Sequence, residues 1–339
     1  MNTQTTLEMQ SETDQEVRCL ASVVIPAHDE ADVLGRCLDA LTRGLEPGEV
    51  EIIVVCNGCK DATAEVARTY DAWVTTIETD VASKANALNR GDAAATAFPR
   101  FYLDADVVMP SEALRRCVRR LAQSDVLATS PRLELDFREC SWPVRAFYRV
   151  WARLPYCRDE LLGCGVYALT REGRAKFDVF PDVLADDVYI SLVVGRDQRR
   201  VTHDAWFRIT PPANMAALVR VRARHQRSGY QMRKRYAALY QDTHRDYRSA
   251  ALSLAMTPSL WIDAFFYVAV FTATRLAGWR QYAFRKNPMT WERDETSRRE
   301  VLAPVLPPGK DLARDDTHKG PVRNERWIRE SGARHRLGA

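Results

Sequence analysis

From Ser22 to Leu121 apolar runs of strand length alternate with amphipathic stretches of helix length, and no other feature constrains the fold as tightly. Ser22-Val-Val-Ile-Pro-Ala-His28 reads as a buried strand. Val33, Leu34, Cys37, Leu38 and Leu41 follow at the three-to-four spacing of one helix face. Glu51-Ile-Ile-Val-Val-Cys56 is a second continuous apolar strand, with a turn at Asn57-Gly58 and a helix expected from an Asp61 N-cap through Thr69. A strand over Trp73–Glu78, a helix from Ser83 to about Thr96, a strand over Phe101–Asp104 and a helix from Ser111 to Leu121 continue the series. Alternation at this spacing implies right-handed crossovers and a mainly parallel α/β sheet, whose ligands sit beyond the carboxyl ends of the strands.

The chain of 339 residues, 46% hydrophobic and 28% charged, is long enough to bury such a sheet between helix layers, and its composition excludes collagen-like and disordered classes. The polar, acidic start of the chain reads as a leader over residues 1–20 without a secretory signal, and a cytoplasmic protein is expected. A catalytic domain is expected over 21–212. A basic and apolar helical extension follows over 213–286, interrupted at Gly229, and a charged, extended tail over 287–339. Between Arg196 and Arg248 there are 13 Lys/Arg against 4 Asp/Glu, a surplus larger than the +4 of the whole chain, so this segment is expected to face anions. That net charge is too small to argue for nucleic acid. From Ser249 to Thr274 the one charged residue is Asp263, followed by Arg275, Arg280, Arg285 and Lys286. Leu260, Trp261, Phe265, Val268 and Phe271 can share a helix face, so peripheral membrane contact through 249–286 is weighed against packing on the catalytic domain.

Asp104-Ala-Asp106 ends a strand where such a sheet puts its ligand, and carboxylates at i and i+2 on a strand point the same way, toward one hard cation or a cation-bridged diphosphate. His203 and His225 are candidates for a third metal ligand, with His225 favoured. Asp186 and Asp187 repel each other, so one is expected to have a raised proton affinity or a positive partner; a helix N-cap is the plainer alternative. Lys84 opens a predicted helix, an unfavourable place for a cation unless an anion sits beside it. The eight cysteines read as reduced, buried thiols. Cys56 and Cys59 form a C-x-x-C between strand and helix, but a thioredoxin-like pair would leave the acidic sites unexplained.

Five segments stand in fixed order: Val23-Val-Ile-Pro-Ala-His-Asp-Glu30, Val55-Cys-Asn-Gly-Cys-Lys-Asp-Ala-Thr63, Ser83-Lys-Ala-Asn-Ala-Leu-Asn-Arg-Gly91, Tyr102-Leu-Asp-Ala-Asp106 and Ala185-Asp-Asp-Val-Tyr-Ile-Ser-Leu192. Together they resemble the family 2 inverting glycosyltransferases of GT-A fold. The resemblance implies a nucleotide-sugar donor, Mg²⁺ or Mn²⁺, and transfer with inversion to a hydroxyl of a carbohydrate, lipid-linked or small-molecule acceptor. By the same resemblance Pro26, Ala27, Glu30, Asn57, Asp61, Lys84 and Asp104 lie on the donor, and Asp106 and Asp104 hold the metal. Asp187 is the general base, beside Asp186, and Gly163 and Gly165 line the acceptor side. The family usually has an acidic pair where this chain has Cys56-Asn57, which bears on the identity of the base. Arg224 and Arg227 stand in the basic run after the catalytic motifs, suited to the diphosphate leaving group. The Q-x-x-R-W of processive members is absent, since Gln226 is followed by Gly229-Tyr230, so non-processive transfer is expected. Two alternatives stay open. A nucleotidyltransferase of related sheet is disfavoured by the lack of a glycine- and arginine-rich first loop, and a non-catalytic nucleotide- or sugar-binding module by the retained Asp187.

Overall fold

The computed structural model describes residues 19–123, 125–154, 157, 164–183, 185–240, 256–284 and 296. Expectations placed on residues 1–18, Gly163, 241–255, Arg285, Lys286 and the tail other than Thr296 therefore lie outside the described residues.

Seven strands form one sheet: β1 (Ser22–Ala27), β2 (Glu51–Asn57), β3 (Val74–Thr79), β4 (Arg100–Leu103), β5 (Ala128–Leu135), β6 (Val166–Leu169) and β7 (Arg199–Ile209). Their order is β3-β2-β1-β4-β6-β5-β7. β6 runs antiparallel to both β4 and β5, and the other adjacent pairs are parallel. The mainly parallel α/β sheet expected from the alternation is thus present, with one reversed strand. β1 is buried along its whole length and β2 over all but its first residue, as strands covered on both faces require.

The helices are α1 (Ala31–Thr42), α2 (Thr63–Arg68), α3 (Lys84–Ala94), α4 (Ser111–Ala122), α5 (Trp142–Trp151), α6 (Arg171–Arg174), α7 (Asp186–Val194), α8 (Met215–Arg235) and α9 (Trp261–Phe284). α1 buries Val33, Leu34, Cys37, Leu38 and Leu41, the face its spacing marks. Ser83 caps α3, its hydroxyl accepting from the Asn86 amide.

Several expectations are corrected. β4 ends at Leu103, where its pairing with Val166 ends, so Asp104 and Asp106 stand on the turn beyond the strand and do not share a strand face. Asp61 is not the helix cap residue; from one position earlier its carboxylate accepts from the Thr63 amide at 3.0 Å. α8 runs unbroken through Gly229. The basic surplus is divided between two elements, Arg199, Arg200 and Arg208 lying on β7 and the arginines from Arg220 to Arg235 on α8. Four of the eight free cysteines, Cys19, Cys59, Cys157 and Cys164, are half-buried.

Candidate active site

The carboxyl ends of β1, β2, β3 and β4 bring four of the motifs to one end of the sheet, and the pairing of Asp186 with Lys84 brings the fifth beside them. β6 enters from the opposite direction, so the residues preceding it, Cys164 and Gly165, meet the end of β4, and the Asp104 amide donates to the Gly165 carbonyl at 2.7 Å. Cys164 and Gly165 both have left-handed backbone (φ 59° and 102°). A Cβ at Gly165 would lie 2.6 Å from Val107 Cγ2 and 3.5 Å from Asp104 Oδ2, so only glycine leaves this turn and this carboxylate undisturbed.

Lys84, the first residue of α3, is the hub. Its Nζ lies 2.7 Å from Asp104 Oδ1 and 2.9 Å from Asp186 Oδ1. The anion that a cation at a helix start needs is therefore supplied by the protein's own carboxylates. Burial disfavours the ammonium, but Asp104 and Asp186 outweigh it and hold Lys84 above its ordinary pKa. Solvent still reaches 37% of the Asp104 side chain. The surrounding protein, with the charges of Asp186 and Asp106, nonetheless pushes its carboxyl up to about 6 against the pull of Lys84.

The adjacent carboxylates Asp186 and Asp187 open α7 and are treated differently by their surroundings. Asp186 is buried, paired with Lys84 through one oxygen and accepting from the Tyr167 hydroxyl at 3.0 Å through the other. Among the described residues Asp187 accepts only backbone amides, from Val188 at 2.8 Å and Cys164 at 3.4 Å. Burial, then the charge of Asp186, raises its pKa. Tyr167 stacks on Tyr102 (centroids 5.1 Å apart), and the Tyr102 hydroxyl donates to Asp92 at 2.6 Å. Asp92 also accepts from Arg100 and Arg174, which with the Tyr102 hydroxyl outweigh burial and hold its carboxyl low. This network ties α3, β4, β6 and α6 beneath the acidic cluster. Tyr167 and Asp92 carry no motif, and the sequence signal for them was only an apolar strand and a helix interior.

The loops after β1 and β2 brace each other. Pro26 and Ala27 are buried in β1. The Glu30 amide donates to Thr63 Oγ1 at 2.8 Å, and Asp61 accepts from the Ala31 and Thr63 amides. Asn57 donates from Nδ2 to the Ser83 carbonyl at 3.1 Å, while its buried Oδ1 has no hydrogen-bond partner among the described residues. Asp29, Cys59 and Asp61 offer ligand atoms within 4.8 Å of one another. Their carboxylates already accept the Lys60, Ala31 and Thr63 amides, which makes them loop braces.

α8 contributes less uniformly than the basic run implies. Arg227 is wholly buried, Arg224 is half-buried and His225 is exposed. Arg222, over the rings of Phe147 and Trp151 at 5.6 Å each, is the arginine whose charge acts on Cys164 beside the acidic cluster.

Residues 22–164 match the family described as Glycosyl transferase family 2. Glycosyltransferase AglE of Haloferax volcanii is 30% identical over 121 residues, 34% of this chain and 40% of AglE, so the match spans less than half of that relative. Among solved structures, the mannosyltransferase PcManGT from Pyrobaculum calidifontis, in complex with GDP-Man and Mn²⁺, superposes with a TM-score of 0.57 at 21% identity. The alignment covers 79% of this chain and 88% of that one. S. aureus TarS 1–349 in complex with UDP gives a TM-score of 0.50 at 12% identity, covering 78% of this chain and 72% of that one. The family 2 resemblance thus holds over residues 22–164, and the fold is GT-A.

Proposed function

We propose that this chain, whose residues 22–164 match glycosyl transferase family 2, moves a sugar from a nucleotide-diphospho-sugar to an acceptor hydroxyl, with inversion, metal dependence and non-processive turnover. The observation that carries the reading is the division of labour in the acidic pair. Asp186 is locked by Lys84 and Tyr167, while Asp187, held by backbone amides and with its pKa raised, can accept a proton. Asp187 as base would take the acceptor hydroxyl proton as that oxygen attacks the anomeric carbon from the face opposite the leaving diphosphate, which accounts for inversion. The solved neighbours PcManGT and TarS carry GDP-Man and UDP, and the same class of donor is proposed here. Asn57, with its unpartnered carbonyl oxygen at the end of β2, suits a base edge that donates hydrogen bonds.

Asp104 and Asp106 are hard oxygen donors on one turn, and Gly165 leaves open the space beside Asp104 Oδ2 that a Cβ would fill, so these residues fit Mg²⁺ or Mn²⁺. Such an ion would offset the charge that grows on the diphosphate as the glycosidic bond breaks. Lys84 keeps Asp104 aimed and ionised, and Arg222 adds positive charge nearby. The work of the protein is positioning and electrostatics, in the cytoplasm.

The test is turnover across a panel of UDP- and GDP-sugars with Mn²⁺ or Mg²⁺, with the product's anomeric configuration read by NMR. Retention would overturn inversion, and full activity in excess EDTA or in Asp106→Ala would overturn the metal assignment. Tight nucleotide-sugar binding with neither transfer nor hydrolysis would instead establish a binding module.

A further inference from the structure

α9 has two unlike faces. Its inner face is committed to the protein. Asp263 is buried and paired with Arg149 of α5 through two hydrogen bonds of 2.6 Å. Tyr267 stacks on Phe147 at 5.2 Å, Val270 shares a buried cluster with Leu218, and Tyr282 lies 5.9 Å from Tyr230. Gly278 approaches α8 so closely that a Cβ would sit 2.6 Å from Gln226 Cβ and 2.8 Å from the Ala223 carbonyl oxygen. Contacts advance in step along the two helices, Gln226 with Gly278 and Tyr230 with Tyr282, so α8 and α9 run parallel there.

The outer face carries Trp261, Ile262, Phe265, Val268, Leu276 and Trp279, each 50–69% exposed. At about 100° per residue these six fall within one side of the helix and run about 27 Å along it. Single exposed apolar residues are ordinary, but a continuous stripe of this size marks a surface that something covers. Arg275 and Arg280, both exposed, stand on its two margins, and the helix's one acidic residue is the buried Asp263.

We propose that this stripe lies flat in the interface of an anionic lipid bilayer, with the tryptophans at its two ends at headgroup level and the arginines on lipid phosphates. Charge complementarity selects this occupant. The face is apolar with a purely basic margin, and tryptophan at both ends suits the boundary between headgroup and chain. A second copy of the chain would bring no acid on this face to meet the arginines. The helix is long and apolar enough to cross a membrane, with mean hydropathy 1.4 over an 18-residue stretch within Pro258–Ala283. Crossing would strip Asp263 from Arg149 and expose a buried carboxylate to hydrocarbon, a cost that lying flat avoids.

The experiment is flotation of the full chain with vesicles of phosphatidylcholine alone or mixed with phosphatidylglycerol, at low and high salt. The wild type should float with the anionic vesicles at low salt and much less in the other conditions. Phe265→Glu with Trp279→Glu should weaken partitioning by at least about tenfold, since two large apolar groups no longer enter the interface. Arg275→Glu with Arg280→Glu should abolish the preference for phosphatidylglycerol. All four positions are exposed, so melting temperatures should match the wild type, and glycosyl transfer to a soluble acceptor should be unchanged. A wild type that stays at the bottom with anionic vesicles at low salt overturns the proposal. So does equal flotation of the glutamate variant, a dimer in light scattering that Phe265→Glu dissolves, or resistance of the membrane-bound chain to alkaline carbonate, which would mean insertion. None of these outcomes touches the assignment of Asp187 or of the donor site.

Discussion

Replacing Lys84 with methionine keeps the apolar stem and removes the charge that two carboxylates share, at 2.7 Å from Asp104 and 2.9 Å from Asp186. Two carboxylates gripping one ammonium stand about 5 Å apart, and at an effective dielectric of about 20 they repel by about 3 kcal/mol once it is gone. Solvent reaches 37% of the Asp104 side chain but only 7% of that of Asp186, so screening trims the expected loss to about 2–3 kcal/mol at neutral pH. In a chain of this size that is a fall in melting temperature of about 3–4 °C. The pH dependence carries the sign. The Asp104 carboxyl is already pushed up to about 6 in the folded protein, above the ordinary value of about 4, and loss of Lys84 raises it further. A group raised on folding contributes stability below its unfolded value and loses it as pH climbs through its folded value. The gap between wild type and Lys84→Met should therefore be small near about pH 4–5 and widen as pH climbs above about 6. Thermal melts across this range in EDTA measure it, and the double variant Lys84→Met with Asp186→Asn should recover most of the loss. A variant as stable as wild type at neutral pH, or one that suffers more in acid, would refute the reasoning.

Steady-state kinetics of Asp187→Asn should show turnover lower by about two to four orders of magnitude with donor affinity little changed; lost affinity at unchanged maximal rate would make Asp187 a binding group. Because the base must be ionised and burial with Asp186 raises its pKa, the acid limb of wild-type turnover should lie above the ordinary carboxylate range, and Asp186→Asn should move that limb down. Gly165→Ala, forced into φ 102° against Val107, should cost about 2–4 kcal/mol in denaturation and slow turnover by displacing the turn that carries Asp104; wild-type stability would remove the glycine argument. Tyr167→Phe strips one donor from buried Asp186 and should destabilise by about 1–2 kcal/mol, an effect that disappears in the Asp186→Asn background if the hydroxyl acts through that carboxylate.

Strands buried on both faces were legible because their pattern is local. β1 and β2 are unbroken apolar runs, and the helices packed on them show their faces at regular spacing. β5 and β7 were not legible. Ala128–Leu135 contains Pro131 and charges, Arg199–Ile209 mixes basic and apolar residues, and neither has a sequence-near partner, since Ala128 pairs with Arg199 across the chain. What makes them strands is pairing at long range, which no window of sequence contains. α9 poses the same difficulty in another form. Its composition suits a membrane-crossing helix and a packed helix alike, and the deciding contact, Arg149 with Asp263, joins residues 114 positions apart.

The acidic residues show where motif reading stops. Asp104 and Asp106 were visible as a pair, but their placement depends on where β4 ends, and that is set by its pairing with β6 and by the Gly165 carbonyl just before β6, which receives the Asp104 amide 61 positions away. Asp186 and Asp187 are chemically identical neighbours in sequence. The fold distinguishes them by turning one side chain toward Lys84 and Tyr167 and leaving the other with backbone amides, so that the negative charge fixed on Asp186 is itself one cause of the raised proton affinity of Asp187. An ammonium from α3 and a hydroxyl from β6 therefore set apart two carboxylates of α7, a distinction that exists only once three elements remote in sequence have been packed together.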